Sequence, residues 1–427
     1  MIFSALFSLL GLLFLGIPVA ATLALVGLFL SSFFSPLPLY PAIGEITWVV
    51  SNNFLLVAIP LFVLLGELML RSGLASRMYS ALALWIPWLP GGLMHSNVAA
   101  CAMFAATSGS SVATAATIGT VAIEEINKNN YNERLFLGSL AAGGTLGILI
   151  PPSINLILYG VLTETSIPQL YLGGILPGLL LACLFSLTIL ILCIWRPQWG
   201  GTPAHADWPM RIHALRDLLP PLLIFLAVIG TIYLGWATAT EAAALGVLVT
   251  LAIAALYRSL TLKVLQQAFE GAMRTSAMIM AVMFGAYFLN LVFGAIGLPA
   301  AASNWITTMD LSSFELFCLL VAFYFVLGMF METLSMMVAS VPIVAPIMAA
   351  AGFDPVWSGI IVVVLMEIAL ITPPVGLNLF VVQSIRDHGG VLDVIIGTLP
   401  FVFIMIVFVF ILYAVPDLVL ILPNMAR

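Results

Sequence analysis

Two short strings carry the chemistry open to this chain. One is Leu149-Ile150-Pro151-Pro152-Ser153 with Asn155 beyond it; the other is Ile371-Thr372-Pro373-Pro374 with Gly376 and Asn378 beyond it. Both lie inside apolar runs. A Pro-Pro pair removes two backbone N–H donors and strands carbonyls of the preceding turn. In hydrocarbon each unsatisfied backbone group costs several kcal/mol, so such a break persists only where protein or water lines it. Freed carbonyls, together with the oxygens of Ser153, Asn155, Thr372 and Asn378, suit a bare cation such as Na⁺. The N–H groups at the start of the following half-helix suit an anionic group. A proline kink patched by neighbouring helices explains one such break; two related breaks weigh against it.

A polar cluster precedes each break. The first is Thr107-Ser108-Gly109-Ser110-Ser111, extending to Thr114 and Thr117, and the second is Glu332-Thr333 with Ser335. Apolar segments too short for full spans flank each cluster. That is the pattern of a re-entrant hairpin that enters, turns at mid-depth and leaves on the same face. Small-residue helix packing explains Ala and Ser in the first cluster but not its concentration of hydroxyls. A charge such as Glu332 at mid-bilayer costs roughly 2.5–3.5 kcal/mol, so it must face an ion, a donor or water. The candidate Na⁺ ligands are Ser108, Gly109, Ser110, Ser111, Pro151, Ser153 and Asn155 in the first half. In the second half they are Glu332, Thr333, Thr372, Pro373, Gly376 and Asn378. Candidate substrate contacts are Ser111, Thr114, Pro152, Ser335, Pro374 and Asn378. Glu67, Glu241 and Glu367 also sit in apolar settings and rank behind these. No Lys or Arg lies within the tips or breaks, so an acid substrate would meet helix N-termini, hydroxyls, amides and nearby Na⁺.

The elements that must hold these residues are membrane helices. Of 427 residues, 63% are hydrophobic and 7% charged, whereas a soluble domain carries about a quarter charged residues. No Asp, Glu, Lys or Arg occurs in 1–44, 78–123, 135–163 or 275–309, and a crossing helix needs about 20 apolar residues. The N-terminus lacks the basic region of a cleaved signal and reads as retained, with one or two spans in 2–34 and Gly16-Ile17-Pro18 as the point where a single span would kink. Further spans are expected near 46–70, 78–93, 135–163, 169–195, 218–236, 240–257, 275–298, 314–331, 356–385 and 394–415. The four cysteines and four histidines show no metal-ligand spacing, and the cysteines read as packing residues. The loops 196–217 and 258–274 are rich in Arg and Lys and flank two spans, so both belong on the cytoplasmic side.

Pairing Pro151 with Pro373, an offset of 222, aligns the two halves. Gly109-Ser110-Ser111-Val112 meets Met331-Glu332-Thr333-Leu334, and Gly174-Ile175-Leu176-Pro177 meets Gly397-Thr398-Leu399-Pro400 after one inserted residue. The loop before the first break has Lys128 and Arg134, while its counterpart has Asp354 and neither base. Inverted repeats place these loops on opposite faces, which the positive-inside rule translates into this difference. The expected fold class is therefore an all-α polytopic membrane protein of two inverted repeats, each with a re-entrant hairpin and a Pro-Pro-broken helix. An odd number of crossings should separate the repeats, and alternating access is the mechanism such repeats favour.

At these positions the sequence resembles the large membrane subunit of TRAP transporters (tripartite ATP-independent periplasmic transporters). The carrying strings are Ser110–Gly119, Gly147–Ile154, Tyr159–Ser166, Gly173–Gly178, Gly328–Glu332, Val341–Ile343 and Glu367–Phe380, spread over almost the whole chain. One departure is Glu332, where the family more often has Asp. The resemblance implies a multi-pass protein of the bacterial inner membrane, working by an elevator mechanism. Scaffold helices would occupy 1–93, and 196–313 would hold a cytoplasmic loop and connecting helices. The transport domain would comprise 94–195 (tip near 108–114, break near 150–155) and 314–427 (tip near 331–336, break near 372–378). It further implies Na⁺-coupled uptake of a C4-dicarboxylate, sugar acid or sialic acid. A periplasmic binding protein would deliver the acid, and a small four-helix membrane subunit would sit beside the scaffold. No ATP-binding G-x-x-x-x-G-K-[ST] loop occurs, and no enzyme activity or cofactor is expected. The competing reading is a symporter or antiporter of the same superfamily that needs no binding protein. An intramembrane protease built on Ser108–Ser111 lacks a suitable histidine or paired intramembrane Asp, and a channel does not explain paired discontinuous sites.

Overall fold

The computed structural model describes residues 2–426 except 124, 125, 127, 128, 203–206, 310, 330, 375 and 387. Among the described residues the chain is helical throughout, with one isolated bridge between Tyr131 and Gly200. Among the described residues, seven helices are long and apolar enough to cross a membrane: Phe54–Arg71, Ile167–Trp195, Trp208–Tyr233, Ala239–Leu256, Leu262–Ala295, Thr333–Ala350 and Val391–Ala414.

The first segment is α1 (Ile2–Phe14), α2 (Val19–Phe34), α3 (Ala42–Ser51), α4 (Ala58–Arg71) and α5 (Leu74–Trp85). Repeat 1 is α6 (Leu93–Ser108), α7 (Ser111–Ala122), α8 (Glu133–Thr145), α9 (Ile154–Thr163) and α10 (Ile167–Trp195). Between the repeats lie α11 (Trp208–Phe225, continued to Tyr233), α12 (Ala239–Leu256), α13 (Leu262–Ala295) and α14 (Leu298–Thr308). Repeat 2 is α15 (Ser313–Gly328), α16 (Thr333–Ala350), α17 (Pro355–Leu370), α18 (Leu377–Ser384) and α19 (Val391–Ala414), followed by α20 (Asp417–Met425).

The repeats share their punctuation as well as their helix order. Asn132 caps α8 by accepting from the Leu135 N–H at 3.0 Å. Asp354 caps α17 from the Val356 and Trp357 N–H groups at 2.8 and 3.1 Å, each satisfying donors that a helix start leaves free. Both the Pro151-Pro152 and Pro373-Pro374 bonds are cis.

Contacts across the seam show that the repeats are inverted. Glu133, at the start of α8, pairs with Arg386 just past α18 at 2.6 Å. Tyr159, near the end of α9, donates its O–H to the Pro355 carbonyl at the start of α17 at 3.2 Å. A Cβ on Gly138 would run into the Gly397 backbone, and one on Gly397 into the Arg134 carbonyl. In the counterpart contact, a Cβ on Gly173 would lie 3.0 Å from Val356 and 3.3 Å from Ile360. Glycine lets these backbones approach closely where lipid supplies no hydrophobic drive between helices. The start of each broken helix thus meets the end of the other, as an antiparallel pair requires. Three long spans, α11, α12 and α13, separate the repeats, an odd number as expected.

Charge is segregated between the two ends. Trp85 donates to the Arg211 carbonyl, Tyr257 to the Arg216 carbonyl, and Arg77 pairs with Asp217. Gly200 approaches Gly91 on the same end, beside the Tyr131 bridge and the Glu133–Arg386 pair. The opposite end carries Glu164, Glu241, Glu315, Asp354 and Asp417, with no Lys or Arg among its described residues. The positive-inside rule puts such a basic end on the cytoplasmic side.

Two expectations about spans are revised and one is resolved. The 2–34 segment, expected as one or two spans, is the two helices α1 and α2, because Gly16 turns at φ +75° ahead of Pro18. α1 touches both α2 and α14. The span expected at 78–93 is α5, whose 12 residues reach only about 18 Å. α13 begins at Leu262, not near 275, and its 34 residues carry the polar first turns beyond the hydrocarbon.

Candidate functional site

The first tip is built by a helix end meeting a helix start. α6 stops at Gly109, whose φ of +62° is the left-handed conformation glycine tolerates. Space also demands glycine there, since a Cβ would lie 2.9 Å from the Pro152 carbonyl oxygen. Ser110 then caps α7 from the Ala113 N–H at 3.4 Å. The hydroxyls turn inward: Thr114 donates to the Ser110 carbonyl at 2.7 Å, lies 3.0 Å from the Ser108 hydroxyl, and Ser111 donates to the Thr145 carbonyl at 3.3 Å. A Cβ on Gly147 would lie 2.7 Å from the Ser110 carbonyl oxygen. Tip 1 and break 1 are therefore pressed together, with the carbonyls of Ser110, Thr145 and Pro152 around the contact.

The second tip uses a carboxylate. Glu332 caps α16, accepting from the Leu334 N–H at 3.2 Å, the Ser335 N–H at 2.9 Å and the Ser335 hydroxyl at 2.6 Å. Its charge is met by the N-terminus of its own helix, a favourable end for an anion. At break 2, the Gly376 N–H donates to the Thr372 carbonyl at 3.1 Å, and a Cβ on Gly376 would lie 2.9 Å from the Leu370 and Thr372 carbonyl oxygens.

Both tips open onto one cavity of about 780 Å³. Ser108, Gly109, Ser110, Ser111, Thr117, Asn155, Glu332, Thr333 and Ser335 line it. The opposite wall, which the sequence did not single out apart from Glu67, comes from the first segment and α13: Pro18–Ala20, Val63, Gly66, Glu67, Leu70 and residues from Thr275 to Val282. A Cβ on Gly66 would lie 3.1 Å from the Ser108 Cα, so α4 rests directly on tip 1. Glu67 and Glu332 are the carboxylates of this wall, and no Lys or Arg is among its described residues. No group of three His, Cys, Asp or Glu side chains forms a metal cluster among the described residues.

Nine proposed ligands do not reach the cavity wall: Thr114, Pro151, Pro152, Ser153, Thr372, Pro373, Pro374, Gly376 and Asn378. Seven of them are buried, while Pro373 is partly exposed and Pro374 exposed. The Ser153 hydroxyl donates to the Ile148 carbonyl at 2.5 Å and that of Thr372 to the Ile368 carbonyl at 2.6 Å, so both satisfy carbonyls at their own helix ends. Among the lesser candidates, Glu241 closes a capping box with Thr238 at the acidic end. Glu367 is fully buried with neither oxygen hydrogen-bonded, away from the cavity.

The two equivalent asparagines differ in what they leave free. Asn378 crosses into repeat 1, where its Nδ2 donates to the Ala141 carbonyl at 3.2 Å. A carbonyl can only accept, so Oδ1 is the free end, fully buried and without a partner. Asn155 is 1% exposed and leaves Nδ2 without an acceptor. A buried polar atom with no partner calls for a ligand or an ion. The arrangement offers a free acceptor in one half and a free donor in the other.

Residues 6–418 match the family model of the tripartite ATP-independent periplasmic transporter, DctM component. The chain is 35% identical to the C4-dicarboxylate TRAP transporter large permease protein DctM of Pseudomonas aeruginosa, over 88% of this chain and 87% of that protein. It is 30% identical to the sialic acid TRAP transporter large permease protein SiaM of Vibrio cholerae, over 99% and 98% of the two chains. The solved Alcanivorax borkumensis YdaH transporter, described as having an unusual topology, superposes with a TM-score of 0.65 at 16% identity, covering 96% of this chain and 98% of that one. At that identity the likeness shows the fold. The chain belongs to the DctM family, the large permeases of tripartite ATP-independent periplasmic transporters, and is a multi-pass inner-membrane transport protein and not an enzyme.

Proposed function

We propose that this permease couples Na⁺ entry to import of an organic acid handed over by a periplasmic binding protein. The observation that carries the reading is the cavity wall: both hairpin tips and the Glu332 carboxylate with no Lys or Arg in the lining, the second carboxylate, Glu67, being paired with Arg71 at 3.2 Å. An acid entering such a cavity alone would meet the Glu332 charge in a medium where charges interact strongly. Cations held at the tips reverse that sign, so Na⁺ and the acid enter together. Tip 1 and break 1 supply carbonyls and hydroxyls for one cation. The buried Oδ1 of Asn378 supports a second, and the free Nδ2 of Asn155 on the cavity wall suits the substrate carboxylate. The relatives named for C4-dicarboxylates and for sialic acid point to this class of substrate.

Residues 94–195 and 314–427 act as the moving body, and 1–93 and 196–313 as the scaffold beside which a small membrane subunit docks. The glycine contact between Gly66 and Ser108 gives the two bodies a smooth face to slide on. Each positive charge carried inward gains about 2.3 kcal/mol per 100 mV, and a tenfold gradient is worth about 1.4 kcal/mol. Two net charges thus suffice for accumulation of more than about a thousandfold.

The test is uptake of radiolabelled succinate and N-acetylneuraminate by proteoliposomes holding the complete membrane complex. Uptake of one acid should require both an inward Na⁺ gradient and its loaded binding protein. Uptake unaffected by replacing Na⁺ with choline removes the coupling. Uptake that ignores the binding protein makes the chain a self-sufficient symporter or antiporter.

A further inference from the structure

We infer that Arg386 is a positioning residue for the second cation site: it clasps the two repeats together and sets the register that presents Asn378. The inference rests on the proposed role of Asn378 in cation binding. Arg386 lies in the turn between α18 and α19, and its side chain is 1% exposed, unlike the exposed Arg77 and Arg134 of the same end. Its Nη2 reaches Glu133 of repeat 1 at 2.6 Å and Asp393 at 3.8 Å. Its Nη1 donates to Gln383 at 3.2 Å and to the Gly390 carbonyl at 3.4 Å. Gly389, at φ +82°, leaves room for the guanidinium that any Cβ would invade. A second pair, Arg134 with Asp393 at 2.9 Å, closes the cluster across the seam.

The clasp acts on Asn378 through geometry. α8 and α18 lie against each other, pinned at two points: Glu133 with Arg386, and the Ala141 carbonyl with Asn378. Both pins are eight residues apart on their own strand of chain, 133 to 141 and 378 to 386, or about 12 Å where helical. The outer pin therefore fixes how far α18 can slide along α8, and the inner pin decides where Oδ1 points. A bidentate-capable guanidinium suits this task better than an ammonium. The opposite seam has no such device: the Tyr159 hydroxyl on the Pro355 carbonyl stands there, and Glu164 and Asp354 have no basic neighbour among the described residues. The inverted symmetry is thus broken in favour of the repeat that carries Asn378.

The test compares Arg386→Gln, Arg386→Lys, Glu133→Gln, Asn378→Ala and the double variant Arg386→Gln/Asn378→Ala. Na⁺ activation of uptake is measured in proteoliposomes with the complete complex. Arg386→Gln should raise the Na⁺ concentration for half-activation about tenfold, as loss of an outer partner does at ion sites. Its maximal rate should change by less than about twofold. Arg386→Lys should fall between it and wild type, and the double variant should be no worse than Asn378→Ala. A wild-type Na⁺ response in Arg386→Gln, or a shift that adds fully to that of Asn378→Ala, overturns the positioning role. If Arg386→Gln does not reach the membrane folded, Glu133→Gln gives the same reading, and an unshifted response there overturns it equally. An unshifted response in Asn378→Ala instead removes the second cation site itself, whatever Arg386 does.

Discussion

The two hairpin tips occupy equivalent places and solve the same problem with different chemistry. At each, a helix starts in the middle of the protein and its first N–H groups need acceptors. Tip 1 uses the neutral Ser110 hydroxyl, which leaves the carbonyls of Ser110, Thr145 and Pro152 as the local acceptors. Tip 2 uses the Glu332 carboxylate, which is occupied by two N–H groups and a hydroxyl. A cap at a buried helix start and a cation ligand are drawn from the same residue types. The difference is what each tip presents: neutral dipoles at tip 1, a net charge at tip 2.

That comparison can be broken most severely at the seam both halves share. Gly138→Leu would drive a side chain into the Gly397 backbone, and overpacking of this kind costs about 3 kcal/mol or more. The expected result is loss of folded protein in a detergent melting assay, whereas a melting temperature near wild type would mean that the backbones do not touch. The tips themselves sharpen it. Glu332→Ala removes three hydrogen bonds to a charged group and should cost about 2 kcal/mol, while Ser110→Ala should cost about 1 kcal/mol, an ordinary cap loss. Glu332→Gln keeps an accepting oxygen and should restore most of the stability while still weakening Na⁺ activation. Equal losses in the two alanine variants would erase the distinction between the tips.

Much of this architecture was legible because it is local. Pro-Pro strings interrupt helices wherever they fall, and the 222-residue offset ties Pro151 to Pro373 and Ser110 to Glu332 by sequence alone. The lysine and arginine bias of the equivalent loops gave the inversion, which the Gly138–Gly397 and Gly173–Ile360 contacts show directly. What was hidden is which surfaces meet. Nothing in the sequence marks Val63, Gly66 and Met278 as cavity residues, because apolar walls of a cavity, a helix interface and a bilayer demand the same side chains. Ser153 and Thr372 stand out in the sequence as hydroxyls beside a break; what no local pattern shows is that each donates its O–H to a carbonyl of its own helix end, leaving its oxygen lone pairs as acceptors. Asn378 was singled out, but its reach across to Ala141 depends on a pairing of α8 with α18 that no local pattern encodes.

The central claim is that the tips and breaks of the two halves hold cations, and it can be tested without knowing the acid. Equilibrium binding of ²²Na⁺ to the purified membrane complex, wild type beside Ser110→Ala and Asn378→Ala, measures it directly. The account predicts saturable binding in the wild type, weakened in each variant and more severely in Asn378→Ala, where the buried acceptor is lost outright. Absence of saturable binding, or identical binding in all three proteins, would contradict it.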